Sequence, residues 1–215
     1  MGVKKWKTPK RKRIGRYQEL RALLLYFDRA SSPTEVRDRA LFGLQLFTGC
    51  RSIEARTARL DAIQPYGEMG CWMKPTTKTG QPHEIPVPMQ MMDWLQAWLH
   101  IRPVVERLKG ANPYLFPGQW YGQPITPNGV RRQWADIRTA LQMHGLWAYD
   151  LRRTIACYLS NELHADDKTI QAILNHYDGR ALSHYVHKTF DSLTSVIQGY
   201  ADWLVELKRK DGHHD

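Results

Sequence analysis

Five side chains, taken in chain order, have the types and settings that attack on a phosphodiester requires. They are Arg51 in Thr48-Gly49-Cys50-Arg51-Ser52-Ile53-Glu54, Lys78 in Lys78-Thr79-Gly80, Arg152 in Tyr149-Asp150-Leu151-Arg152-Arg153-Thr154, His176 in Leu174-Asn175-His176, and Tyr185 in Leu182-Ser183-His184-Tyr185. Such an attack needs a nucleophile, neutralisation of charge on the pentavalent phosphorane, and a proton for the departing oxygen. Two arginines clamp nonbridging oxygens bidentately and take the place of a metal. Their guanidinium groups stay charged at any workable pH, which lysine does not guarantee. A lysine on a hairpin supplies the proton to the leaving oxygen. A histidine hydrogen-bonds the phosphate or moves the tyrosine proton. A tyrosine, with an ordinary pKa of about 10, attacks once such neighbours surround it. The resulting phosphotyrosyl bond keeps the energy of the broken linkage, so rejoining needs no ATP.

Singly, each residue has an ordinary role. An arginine or a hairpin lysine is usually a surface group, and most tyrosines are core or interface residues. His184 and His187 stand near His176 in sequence, but no carboxylate or cysteine completes a ligand set at a recognisable spacing, so neither a metal nor a cofactor is expected. Of the eight tryptophans, most are packing residues, while Trp120 and Trp147 in loops are placed to stack on bases or sugars. It is the order and the flanking residues together that favour chemistry.

The elements that position these residues are mostly helical. A helical pattern starts at Tyr17. Ser32, Pro33 and Glu35 form a capping box with proline at the first helical position. Val36, Ala40, Leu44 and Phe47 make the core stripe of the helix that follows, which ends near Gly49 and leaves Arg51 at a turn. Residues 60–87 lose this period. Cys71-Trp72-Met73 and Glu84-Ile85-Pro86-Val87 read as strands of a small antiparallel sheet, with Lys78 at the turn and prolines 82, 86 and 88 marking edge strands. Helix returns over Met89–Lys109 with Met92, Leu95 and Leu99 on one face, and over Gly129–His144 after a Gly/Pro-rich loop from Trp120 to Asn128. Asp150 is placed as the N-cap of a helix burying Leu151, Ile155, Tyr158 and Leu159, with Arg152 at its flank. Asp166 caps the next helix, whose C-terminal end carries His176. A last helix bears Leu193, Val196, Ile197, Tyr200, Leu204 and Leu207.

Charge points to the partner. The 215 residues suit a single domain with appendages, and the net charge of +10 favours a polyanion. No stretch reaches the roughly 20 apolar residues that span a bilayer. Nucleic acid is therefore the expected partner rather than a membrane. Lys4, Lys5, Lys7, Lys10, Arg11, Lys12, Arg13 and Arg16 make the first sixteen residues a basic arm without an acid, expected to be mobile and to lie along DNA phosphates. Three scattered cysteines, Cys50, Cys71 and Cys157, fit a reducing, cytoplasmic setting, with Cys50 a small buried residue.

From about Tyr17 to Tyr185 the sequence resembles the catalytic domain of the tyrosine recombinases, the phage integrase family. The segment around Arg51, with Glu54 as supporting acid, resembles the first arginine box. Lys78-Thr79-Gly80 followed by Glu84-Ile85-Pro86-Val87-Pro88 resembles the hairpin lysine segment. Asp150-Leu151-Arg152-Arg153-Thr154 resembles the second arginine box, and Tyr185 follows His176 at the family's usual spacing of nine residues. The resemblance implies a mostly α fold with a small antiparallel β-sheet or hairpin, and catalytic roles for Arg51, Lys78, Arg152, His176 and Tyr185. It implies a 3′-phosphotyrosyl link and a freed 5′-hydroxyl that attacks a partner duplex. It also implies synapsis by four protomers on double-stranded DNA, a mobile-element origin and a C-terminal segment passed to a neighbour, while accessory proteins are expected, with the basic arm, to compensate for a missing DNA-binding domain. The expected organisation is a basic arm at 1–16, a catalytic domain at 17–190, and a C-terminal helix and tail at 191–215.

Two departures stand out. Tyr149 occupies the position where the family most often has histidine. A phenol still hydrogen-bonds a phosphate but is never cationic and is a poor proton shuttle at neutral pH. Only the basic arm precedes the first helix, where most members carry a separate helical DNA-binding domain. Beside the favoured reading of a site-specific recombinase or integrase stand a non-catalytic DNA-binding relative acting as regulator or accessory subunit, and a topoisomerase using the same chemistry.

Overall fold

The computed structural model describes residues 12–74, 82–109, 111–176 and 190–210, with backbone alone at 105–109. The element order is α1 (Tyr17–Asp28), α2 (Pro33–Thr48), α3 (Ser52–Arg56), a 3-10 turn at Leu60–Ala62, β1 (Ile63–Tyr66), β2 (Met69–Lys74), β3 (His83–Val87), α4 (Met89–Lys109), α5 (Pro127–Ala140), α6 (Asp150–Asn161), α7 (Asp167–Leu174) and α8 (Phe190–Arg209). The fold is thus mostly helical with one antiparallel sheet, ordered β1-β2-β3, as the sequence led us to expect.

At the centre lies α2, buried over almost its whole length. Ser32 Oγ accepts the Glu35 backbone N–H at 3.3 Å while Glu35 Oε2 accepts that of Ser32 at 2.9 Å, completing the expected capping box. Its C-terminus is fixed by Gly49, whose φ of 63° is the left-handed conformation that glycine adopts without a Cβ clash. Against α2 pack α4, α6, α8 and β3. One apolar core results, with Trp72, Trp98 and Trp134 inside it. The indole N–H groups of Trp98 and Trp134 donate to the carbonyls of Leu115 and Leu146, both at 2.9 Å, so these rings bury their area without stranding a donor.

The sheet is short and its register is set by alternation. Gly70, Trp72 and Lys74 of β2 face inward, and Trp72 pairs with Ile85 and Lys74 with His83. Pro86 stands in β3, an edge strand, as the prolines suggested. β1 is an addition to the two strands read from the sequence, because Ile63-Gln64-Pro65-Tyr66 is largely exposed and lacks an apolar face.

Three helical expectations need correction. On α4 the buried stripe is Met91, Leu95 and Trp98, whereas Leu99 is 41% exposed, because α2 covers the face one residue earlier. α5 begins at Pro127, capped by Thr126 Oγ1 on the Gly129 N–H at 3.0 Å, and ends at Ala140 rather than His144. Asp150 is the first residue of α6 and Tyr149 is its N-cap. The Asp150 carboxylate instead reaches back to the Trp147 N–H at 2.9 Å and closes the preceding turn. The helix over Ser52–Arg56 did not stand out in the sequence because five residues are too few to show a period.

The arm docks earlier than Tyr17. Gly15 is buried, its N–H donating to Thr154 Oγ1 at 2.8 Å and its carbonyl accepting from the Tyr158 hydroxyl at 2.9 Å. α8 covers β3 and packs on α1, α2, α4 and α6, burying Leu193, Ile197, Tyr200, Ala201, Leu204 and Leu207.

Candidate active site

Arg51 is the N-cap of α3, in extended backbone just after the left-handed Gly49. Glu54, one turn later, accepts from the Arg51 backbone N–H through Oε2 and from Arg51 Nη1 through Oε1, both at 2.9 Å. A third donor meets the same carboxylate: Lys74 Nζ, 3.1 Å from Glu54 Oε2. Burial would raise the Glu54 carboxyl, but Lys74 and Arg51 outweigh it and hold it below its ordinary value.

Arg152 projects from the first turn of α6 into the interior. Its Nη1 donates to the carbonyl of Gly49 at 2.6 Å and its Nη2 to the carbonyl of Leu174. It is buried in the structure rather than at a helix flank. These two acceptors are the terminal carbonyls of α2 and α7, which have no partner within their own helices. Gly49 lies two residues before Arg51 and Leu174 two before His176, so a single guanidinium ties together both stretches that carry site residues.

α7 ends in Asn175, left-handed at φ 51°, and His176 follows with its backbone N–H on Gln171 O at 2.9 Å. The expected cap of this helix is present, with Asp166 Oδ1 accepting the Thr169 N–H at 2.9 Å. The imidazole of His176 is pushed below its ordinary range by partial burial and then by Arg152 and Arg51. Its neutral form is therefore favoured near pH 7, with a lone pair available. Cys50, fully buried between these groups, has its thiol pushed up to about 11 and stays protonated. It is a packing residue, as expected.

Arg51, Glu54, Arg152 and His176 therefore converge. Lys78 and Tyr185 lie outside the described residues, as do Lys4, Lys5, Lys7, Lys10 and Arg11. Of the remaining arm residues, Lys12 and Arg16 are exposed, while Arg13 pairs with Glu19 of α1.

Sequence reasoning passed over two residues here. Lys74 is buried beneath Glu54, with its ammonium 5.1 Å from the Trp72 ring centroid. The available signal was alternation, because Lys74 shares the inward face of β2 with Trp72. His83, opposite Lys74, has its Nε2 2.8 Å from Ala172 O, which makes Nε2 the protonated nitrogen. Burial and then Lys74 press this imidazole down to about 4.

Beside the site opens a cleft of about 340 Å³ between α3 and α5, lined among others by Ser52, Ile53, Arg56, Arg131, Trp147 and Tyr149. Trp147 is 44% and Tyr149 53% exposed. Arg138 lies 4.4 Å over the Trp147 ring and Arg153 5.3 Å over the Tyr149 ring, giving two cation–π stacks on the rim. Among the described residues no group of three or more metal-ligating side chains gathers, and no helix is long and apolar enough to cross a membrane.

The helical body, the three-stranded sheet and this pairing of arginine boxes define a tyrosine-recombinase type of catalytic domain. Solved structures share the fold. XerH site-specific recombinase bound to difH substrate in a pre-cleavage complex superposes with a TM-score of 0.62 at 21% identity, covering 84% of this chain and 48% of that one. A post-cleavage XerH complex with palindromic difH gives 0.64 at 22%, covering 86% and 51%. The Tn1549 transposon integrase in complex with circular intermediate DNA gives 0.55 at 17%, covering 86% and 64%. The chain belongs to the phage integrase family, whose model matches residues 16–192. Curated relatives include tyrosine recombinase XerC of Alcanivorax borkumensis, 25% identical over 171 residues, covering 79% of this chain and 53% of that protein. Tyrosine recombinase XerD of Corynebacterium glutamicum is 28% identical over 174 residues, covering 79% and 54%. The chain spans about half the length of these relatives.

Proposed function

We propose that this chain cleaves and rejoins DNA as the catalytic part of a site-specific recombinase. In this reading Tyr185 attacks the scissile phosphorus and forms a 3′-phosphotyrosyl ester. The P–O bond to the 5′ oxygen breaks, and that oxygen leaves as a hydroxyl after taking a proton from Lys78. The 5′-hydroxyl of a partner strand then attacks the phosphotyrosine and returns the proton and the tyrosine. Arg51 and Arg152 stabilise the charge on the phosphorane, with the N–H groups of Arg152 that the two carbonyls leave free directed at the phosphate. His176, held neutral, accepts the tyrosine proton or bonds a nonbridging oxygen. The basic arm and the arginine–aromatic rim beside Tyr149 engage the flanking duplex, and four protomers assemble on two DNA sites.

The observation that supports this reading is the double tie made by Arg152 to Gly49 and Leu174, two residues before Arg51 and two before His176. Covalent trapping tests it. Nicked duplexes drawn from the sequence flanking the gene are incubated with protein, denatured, and the modified peptide mapped by mass spectrometry. An adduct on Tyr185 is expected. DNA binding without an adduct at any site, with accessory proteins supplied, moves the assignment to a non-catalytic DNA-binding relative.

A further inference from the structure

Among the described residues Lys74 is the one lysine with a buried side chain, 6% exposed, and it lies within hydrogen-bond reach of the carboxylate that holds Arg51. Glu54 has two oxygens and three donors: Nη1 of Arg51 on Oε1, and the Arg51 backbone N–H and Lys74 Nζ on Oε2. We propose that Lys74 is a positioning residue for strand cleavage, acting through Glu54 to aim Arg51 and to keep the charge of Arg51 available to the phosphate. The proposal rests on the recombinase reading above.

A lone Arg51–Glu54 pair is neutral, and a phosphate facing it meets a cation already compensated. With Lys74 on the same carboxylate, the trio carries a net charge of +1, and Arg152 brings the cluster to +2. A phosphodiester carries one negative charge and its phosphorane carries two, so the second cation on Glu54 matters most in the transition state. The ammonium itself is poorly placed to touch DNA. It is buried, lies against the Trp72 ring, and has Glu54 as its acceptor. The groups facing Glu54 are Arg51 and Cys50 from the turn before α3, Lys74 from β2, His83 from β3 and Arg152 from α6. Among the described residues Lys74 is thus the one cation that the sheet brings to Glu54, since His83 is neutral.

The test is single-turnover adduct formation by Lys74→Met, Glu54→Gln and the double variant, each with a thermal melt. Lys74→Met is expected to slow adduct formation about 100-fold, the scale of losing one preorganised electrostatic group. Adding Glu54→Gln to it should restore at least tenfold, because the charge that Lys74 offsets is then gone. The Lys74→Met rate should also acquire an acid limb at higher pH than wild type, as Glu54 loses a partner that holds its carboxyl down. A substrate with sulfur in place of the leaving 5′ oxygen needs no proton from the enzyme, and Lys74→Met should stay slow on it. Full rescue by that substrate would make Lys74 the proton donor and overturn the positioning role. A Lys74→Met rate within about threefold of wild type, or no recovery in the double variant, would also overturn it. If Lys74→Met does not fold, Lys74→Gln, which keeps a donor without the charge, carries the same comparisons. Failure of wild type to form any adduct would sink the recombinase reading itself, a result distinct from all of these.

Discussion

Arg152 Nη1 lies 2.6 Å from the carbonyl oxygen of Gly49, a residue 103 positions earlier that closes α2. With the second bond to Leu174 O, the guanidinium fork makes Arg152 a structural tie as well as a candidate phosphate ligand. Lysine has a single ammonium and cannot span both carbonyls in the same plane. Arg152→Lys is expected to cost about 2–4 kcal/mol of stability, from two charge-assisted bonds to buried acceptors, and to abolish adduct formation. Arg51→Lys, whose side chain bonds only Glu54 among the described residues, should lose the adduct with a much smaller change in melting temperature. Thermal melts of both variants beside the trapping assay check this split.

Gly49 has no room for a methyl group. A Cβ there would sit 2.5 Å from Leu174 Cδ2 and 2.8 Å from Ile155 Cγ2, and φ is 63°. Gly49→Ala combines left-handed strain of about 1–2 kcal/mol with overpacking of roughly 1–3 kcal/mol. The expected outcome is a loss of more than about 2 kcal/mol in chemical denaturation. A reduced adduct yield should accompany it, because the turn bearing Arg51 moves with it.

Much of this was legible in the sequence where local chemistry decides structure. Ser32, Glu35 and Asp166 announce their caps because polar side chains satisfy helix N–H groups in a fixed register, and all three cap as expected. The core stripe of α2 follows from its period alone. Arg51 and Arg152 stand out as candidates by their flanking residues. What Arg152 bonds was not, because two carbonyls from distant helices carry no signature in sequence. The stripe of α4 was misplaced by one residue because Met91 and Met92 are equally apolar, and only the approach of α2 selects between them. Lys74 was overlooked for the opposite reason. Polar residues are read as surface, and its inward position appears only once β2 is phased against Trp72.

Tyr149 is half exposed, and Arg153 packs over its ring. Tyr149→Phe keeps the ring and that stack while removing the hydroxyl, so adduct formation should persist within about tenfold of wild type, the scale of a lost hydrogen bond of about 1 kcal/mol. Tyr185→Phe should form none. Tyr149→Ala removes the stack as well and should weaken DNA binding more than Tyr149→Phe does, measured by fluorescence anisotropy at fixed salt. Equal loss of adduct from Tyr149→Phe and Tyr185→Phe would overturn the assignment of the nucleophile.

Acid should destabilise the fold through His83. Its Nε2 is bonded to Ala172 O, and its Nδ1 is buried without a partner among the described residues, so nothing receives a second proton. Burial, followed by the nearby Lys74, sets its pKa at about 4 in the folded chain, against about 6.5 for an unperturbed imidazole. Between these values the unfolded chain binds a proton that the folded chain refuses. The stability tied to neutral His83 is therefore present above about pH 6.5 and is lost progressively as pH falls toward about 4. From pH 7 to pH 5 the linkage amounts to roughly 2 kcal/mol. Denaturant titrations at the two pH values, on wild type and on His83→Asn, isolate the contribution from that of the carboxylates. The variant should show a fall in stability smaller by about that amount, and an equal fall in both proteins would remove His83 as the cause.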